Sequence, residues 1–224
     1  MAPPTPGKEF AFTEISAEQV QKAAKYLQGS GGPSGADSDL WQQMLLSKQF
    51  GTKPHELAEA VAALARKLAT EQITPRYLEA FTASRLIPLS KKENGIRPIG
   101  VGEVLRRLVG KVITRTLKED VISVTAPLQL CGGLRSGVEA AIHAARKSFE
   151  DEEVECVLMV DASNAFNALN RKAALSNMKH VCPEFHQYLA NTYGIPANLF
   201  VTDGENHEIL QSREGTTHGD STAM

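Results

Sequence analysis

Two places in the chain gather side chains suited to a charged, oxygen-rich ligand. The first is Asp161, which follows the apolar run Val154–Val160 (VECVLMV) and opens the stretch DASNAFNALNR. A strand ending in an Asp places a carboxylate at the end of a sheet, facing whatever binds there. On its own, an Asp after a strand is more often a cap or turn residue. The second place is the turn KKENG with IRPIGV behind it, which brings Lys91, Lys92 and Arg97 together. An Arg grips phosphate oxygens in pairs with its planar fork, and a Lys adds a point charge. A solvated basic turn has the same composition.

Charge supports a phosphate ligand locally but not globally. The 224 residues carry a formal net charge of -2. From Arg85 to Lys118 there are nine basic residues against Glu93 and Glu103, a local +7, so the remainder carries -9. A basic patch on an acidic body is the footprint of phosphate contact, although a solvated helix face gives the same count. Composition is that of a globular chain, with 42% hydrophobic and 22% charged residues. Cys131, Cys156 and Cys182 are too sparse for a disulfide scaffold. There is no apolar segment long enough for a bilayer and no signal peptide, so a soluble, intracellular protein is expected.

The elements that must position these groups follow from patterning. Met1 to about Phe12 is Pro-rich and reads as disordered, and GSGGPSGADS reads as a flexible connector after a short helix over Ile15–Leu27. Glu56–Leu68 is an amphipathic helix, and Thr74-Pro75 opens another that runs to about Ser84. Arg85–Ser90 and Ile96–Val101 are strands of a hairpin with an Asn-Gly signal, and Pro98 puts part of the second on a sheet edge. Glu103–Leu117 is a helix with an apolar stripe (Val104, Leu105, Leu108, Val109, Val112, Ile113); Arg106, Arg107 and Lys111 lie off that stripe. Val138–Phe149 is a helix, Val154–Val160 a buried strand, and Asn170 caps a helix over Arg171–His180. A further hairpin surrounds Asp203-Gly204. The irregular mixture predicts an α+β fold.

Taken together, these segments resemble reverse transcriptases of the retrotransposon and group II intron type. DASNAFNALNR resembles the first palm motif, and SRLIPLSKKENGIRPIG resembles the fingers motif K-x-x-G-x-R-P-I. REGTTHGDSTAM is similar to G-x-x-Q-G-x-P-x-S, with His218 in place of Gln and Ser221 in place of Pro. PLQLCGGLRSG is a weaker match, carried by Gln129, Gly132 and Gly137, to the loop before the palm Asp.

The resemblance implies the fingers and part of the palm of a right-hand polymerase. Asp161 and the Ala162 carbonyl would bind catalytic magnesium, two ions in the complete domain. Lys91, Lys92 and Arg97 would hold the triphosphate of a deoxynucleoside triphosphate, and Phe166 would pack under its sugar. His218 and Gly219 would also line the nucleotide site. Arg106, Arg107, Lys111 and Gly215 would touch an RNA or DNA template-primer.

The implied organisation is a disordered region with a short helix and a Gly/Ser linker over 1–40, a helical extension over 41–84, fingers over 85–155 and a partial palm with an interleaved fingers hairpin over 156–224. Two-metal transfer needs more than one carboxylate; the family supplies the others from an aromatic-x-Asp-Asp hairpin, which does not follow Asp161 in this chain, so the isolated chain is expected to be inactive. The alternative is a decayed or domesticated remnant that binds nucleic acid without catalysis. A P-loop and a dinucleotide fingerprint are excluded because Leu105 stands where either requires glycine.

Overall fold

In the computed structural model, residues 12–90, 95–125, 128–130, 134–203, 205–217, 220 and 222 are described. Lys91, Lys92, Gly132, His218, Gly219 and Ser221 therefore lie outside the described residues.

The core is built from helices. α1 (Ala17–Ala24), α3 (Lys53–Thr70), α5 (Val104–Thr116) and α10 (Pro183–Tyr193) bring their apolar faces into one cluster. Its centre includes Ile15, Val20, Ala62, Leu68, Leu108, Val109, Ile113 and Tyr188. The alanines of α3 let its neighbours approach closely, and Leu108, which is fully buried, contributes roughly 2 kcal/mol by burial alone. Phe12, at the end of the Pro-rich start, is only 2% exposed and belongs to this cluster. α1 opens with a capping box between Ser16 and Gln19, and Pro54 occupies the first turn of α3. α2 (Ser38–Leu46) packs on α1 and α3, and the short α4 (Glu79–Thr82) leads into the sheet. None of the described helices is long and apolar enough to cross a membrane.

β1 (Ser84–Ser90), β2 (Ile96–Gly102), β3 (Ala197–Asp203) and β4 (Asn206–Ser212) form a mixed sheet in the order β2-β1-β3-β4. β1 and β2 pair antiparallel from Ser84↔Gly102 to Ser90↔Ile96, with Pro88 opposite Pro98. A proline donates no ladder hydrogen bond, and β2 is an edge strand, where that loss is tolerated. Burial falls along the hairpin: Ser84 and Gly102 at its base are buried, while Ser90, Ile96 and Arg97 towards its turn are exposed. The hairpin thus leaves Arg97 exposed to solvent. β1 and β3 meet in parallel only at Ser84↔Leu199 and Arg85↔Phe200.

The connector expected to be flexible is a built strap. Gly31 and Gly32 are buried, and a β-carbon on Gly32 would lie 2.8 Å from the Glu103 backbone nitrogen. Glu103 receives hydrogen bonds from the Ser34 amide at 2.8 Å and the Ser34 hydroxyl at 2.7 Å. Arg107 donates to the carbonyls of Gln28 and Ser30, and Lys111 to that of Tyr26 at 2.6 Å. Glycine was needed here for close approach as well as for freedom.

Val154–Val160 corrects another expectation. It forms no strand, and Leu158, Met159 and Val160 are 85%, 88% and 83% exposed. An apolar run becomes a strand only when a neighbour takes its N–H and C=O groups, and the four described strands pair with one another instead. α7 (Gly137–Glu150) likewise leaves Val138, Ile142 and Phe149 exposed.

Candidate nucleotide site

Asp161 lies in an exposed turn before α8 (Ala165–Ala168), a single helical turn entered through Asn164 in the left-handed region at φ 57°. Asn tolerates that conformation, and its side-chain oxygen accepts a 2.9 Å hydrogen bond from the Asn167 side chain. Asn170 then caps α9 (Arg171–Val181) by accepting from the Ala173 amide at 2.8 Å. The sequence DASNAFNALNR thus folds as a chain of local side-chain hydrogen bonds.

Asp161 and Phe166 share a cavity of about 590 Å³ with the hairpin of β1 and β2. Ile96, Arg97 and Pro98 of β2 line it together with the turn from Asp161 to Asn167. Arg97 and Asp161 are both exposed, so a cation and a carboxylate far apart in sequence border the same open space. Phe166 is 49% exposed and lines this cavity on one side. On its other side it borders a separate apolar cavity of about 500 Å³, walled by residues such as Leu169, Leu175, Met178 and Leu189.

The segment before residue 218 docks directly onto α8. The Gly215 amide donates to the Leu169 carbonyl at 2.8 Å, and the Thr216 amide to the Phe166 carbonyl at 2.6 Å. Gly215 has φ 72°, and it is buried. The close approach that its lack of a side chain permits is thus to the chain's own backbone, which corrects its assignment to nucleic acid.

Arg106 requires the clearest correction. Instead of facing solvent it is 2% exposed and forms a 2.8 Å ion pair with Asp220, itself buried. Burial pulls its pKa down, but Asp220, Tyr193 and Tyr188 outweigh that and leave it raised. It cannot reach a template phosphate from there. Arg107 and Lys111 are half-buried and donate to the strap carbonyls, contacts that the sequence did not suggest. Burial, followed by repulsion from Arg115 and Arg107, lowers the Lys111 pKa.

Sequence patterning missed Arg171, Tyr193 and Asp220. Arg171 donates to Gly215 at 2.7 Å and to the Ser212 carbonyl at 2.9 Å. Its place directly after the capping Asn170 gives it a fixed direction, but its partners lie some forty residues away and leave no local signal.

Asp161 and Ala162 offer the oxygen donors that magnesium takes, but magnesium demands about six ligands in octahedral array. Among the described residues no group of three His, Cys, Asp or Glu side chains could hold a metal ion. The donor type fits and the donor number does not, so these residues do not compose a metal site alone.

No family model matches the chain. Over 177 residues it is 27% identical to the retrotransposable element SLACS 132 kDa protein of Trypanosoma brucei gambiense, a match covering 77% of this chain. The chain spans 14% of the length of that relative. Most of the chain is therefore similar to one part of a retrotransposable-element protein.

Proposed function

We propose that this chain is the nucleotide-gripping portion of a reverse transcriptase, comprising fingers and the first palm motif. The observation that carries the reading is the cavity bordered by both Arg97 and Asp161. The basic hairpin end supplies the charge that a triphosphate needs, with Arg97 forking onto its oxygens. Phe166 offers a flat ring on which a deoxyribose can rest, and a 2'-hydroxyl would meet that ring. Asp161 would supply one carboxylate towards magnesium, and the described residues would need further oxygen donors to hold the ion. Magnesium, when bound there, neutralises phosphate charge and activates the attacking oxygen.

The exposed apolar residues Leu158, Met159 and Val160 fit the same reading. On this reading they would become a strand by pairing with further palm strands of a longer protein. The alternative of a nucleic-acid-binding remnant would need a basic surface other than Arg106, which is buried against Asp220.

Binding of a fluorescent deoxynucleoside triphosphate in magnesium buffer tests the reading. The 224-residue protein should bind it, dATP should compete, and Arg97→Ala should weaken binding about tenfold, as expected for loss of a charge-assisted phosphate contact. Absence of binding, or binding indifferent to Arg97, contradicts the reading.

A further inference from the structure

α8 has four residues, too few to hold itself as a helix in water. What holds it is the loop from Ser212 to Thr217, through the Gly215–Leu169 and Thr216–Phe166 hydrogen bonds. That loop is anchored at both ends. Upstream, Arg171 grips Ser212 and Gly215. Downstream, Asp220 accepts a 2.7 Å hydrogen bond from the Tyr193 hydroxyl and pairs with Arg106 at 2.8 Å. The other oxygen of Asp220 accepts from the Thr222 amide and hydroxyl at 3.0 and 2.9 Å. The Tyr193 ring lies between the two anchors, with the Arg106 guanidinium 4.7 Å and the Arg171 guanidinium 5.4 Å from its centroid.

A buried ion pair is a poor way to gain stability, since desolvation consumes most of its Coulomb energy and apolar replacements of the same volume are often as stable. It does impose direction, because the buried carboxylate has to lie beside the guanidinium while accepting the hydrogen bond of the Tyr193 hydroxyl. We propose that Arg106 and Asp220 are positioning residues that hold the 212–217 loop against α8 and so set Phe166 at the sugar end of the nucleotide cavity. This rests on the polymerase reading for the meaning of Phe166, but the mechanical link from Asp220 to Phe166 does not.

The test compares the wild-type chain with Arg106→Met/Asp220→Leu, which removes the pair without leaving a buried charge, and with Asp220→Asn, which keeps the hydrogen-bonding shape. Amide hydrogen exchange at Gly215 and Thr216 is measured alongside the preference for dATP over ATP in magnesium buffer, with circular dichroism to confirm folding. Exchange at both amides should quicken at least tenfold in the double variant and less in Asp220→Asn, and the sugar preference should fall at least threefold. Unchanged exchange in the folded variants overturns the proposal. So does faster exchange with intact sugar preference. If the wild-type chain binds no nucleotide, the polymerase reading fails, while the exchange rates still decide whether the pair holds Phe166.

Discussion

Gly215 sits so close to Phe166 that a β-carbon on it would lie 2.5 Å from the Phe166 carbonyl oxygen and 2.6 Å from the Asn167 α-carbon. Backbone cannot yield as a flexible side chain can. The left-handed φ of 72° adds a further penalty for any L side chain. Gly215→Ala should therefore destabilise the fold by more than about 2 kcal/mol, read as a lower denaturation midpoint in urea. A substitution within about 0.5 kcal/mol of wild type would mean that the loop and α8 are not in contact.

Phe166→Ala should act oppositely. The ring is half exposed, so its loss should cost less than about 1.5 kcal/mol of stability. Competition of ATP against dATP should show the ratio of their affinities moving towards one. Retained preference for the deoxynucleotide in Phe166→Ala removes the ring from sugar selection.

Burial pushes the Tyr193 hydroxyl up to about 12, with Arg106 opposing and Asp220 adding to the shift. Its folded value lies above its ordinary value of 10.0, so the stability it contributes is complete below pH 10 and is lost as pH rises towards 12. The loss amounts to about 3 kcal/mol at most for a two-unit shift. Burial raises Tyr188 as well, so the two act in the same direction. Thermal melting between pH 8 and 11 should show a falling Tm that flattens in part in Tyr193→Phe. A Tm slope identical in wild type and variant contradicts the buried placement of this phenol.

Glu103 ties the glycine-rich strap to the start of α5 through both hydrogen bonds from Ser34. Glu103→Ala should loosen residues 28–36, and limited proteolysis should then cut there at least several-fold faster than in the wild-type chain. Equal cutting rates would show the segment to be a free linker.

The pairing of β1 with β2 was legible because two short apolar runs and Pro98 are local signals, and the structure pairs them antiparallel from Ser84↔Gly102 to Ser90↔Ile96. The stripe of α5 was legible for the same reason: Val104, Leu108, Val109, Val112 and Ile113 are all buried. The fate of Arg106 was not, because its partner Asp220 lies more than a hundred residues away and a helical wheel counts any Arg as solvent-facing. Glycines 31 and 32 were read for flexibility, whereas the neighbouring Glu103 backbone that requires them is visible only in three dimensions. The Val154–Val160 run shows the converse limit. Apolar composition states what a segment would bury, but only a partner strand decides whether it does.

On the proposed reading, Arg97 and Asp161 serve one ligand. A double-mutant cycle on dATP affinity in magnesium buffer, using Arg97→Ala, Asp161→Asn and the double variant, tests it most directly. Each single substitution should weaken binding, and the two effects should fail to add by at least about 0.5 kcal/mol, because both groups act on the same triphosphate. Strictly additive effects, or an Asp161→Asn variant that binds as the wild type does, would contradict the claim.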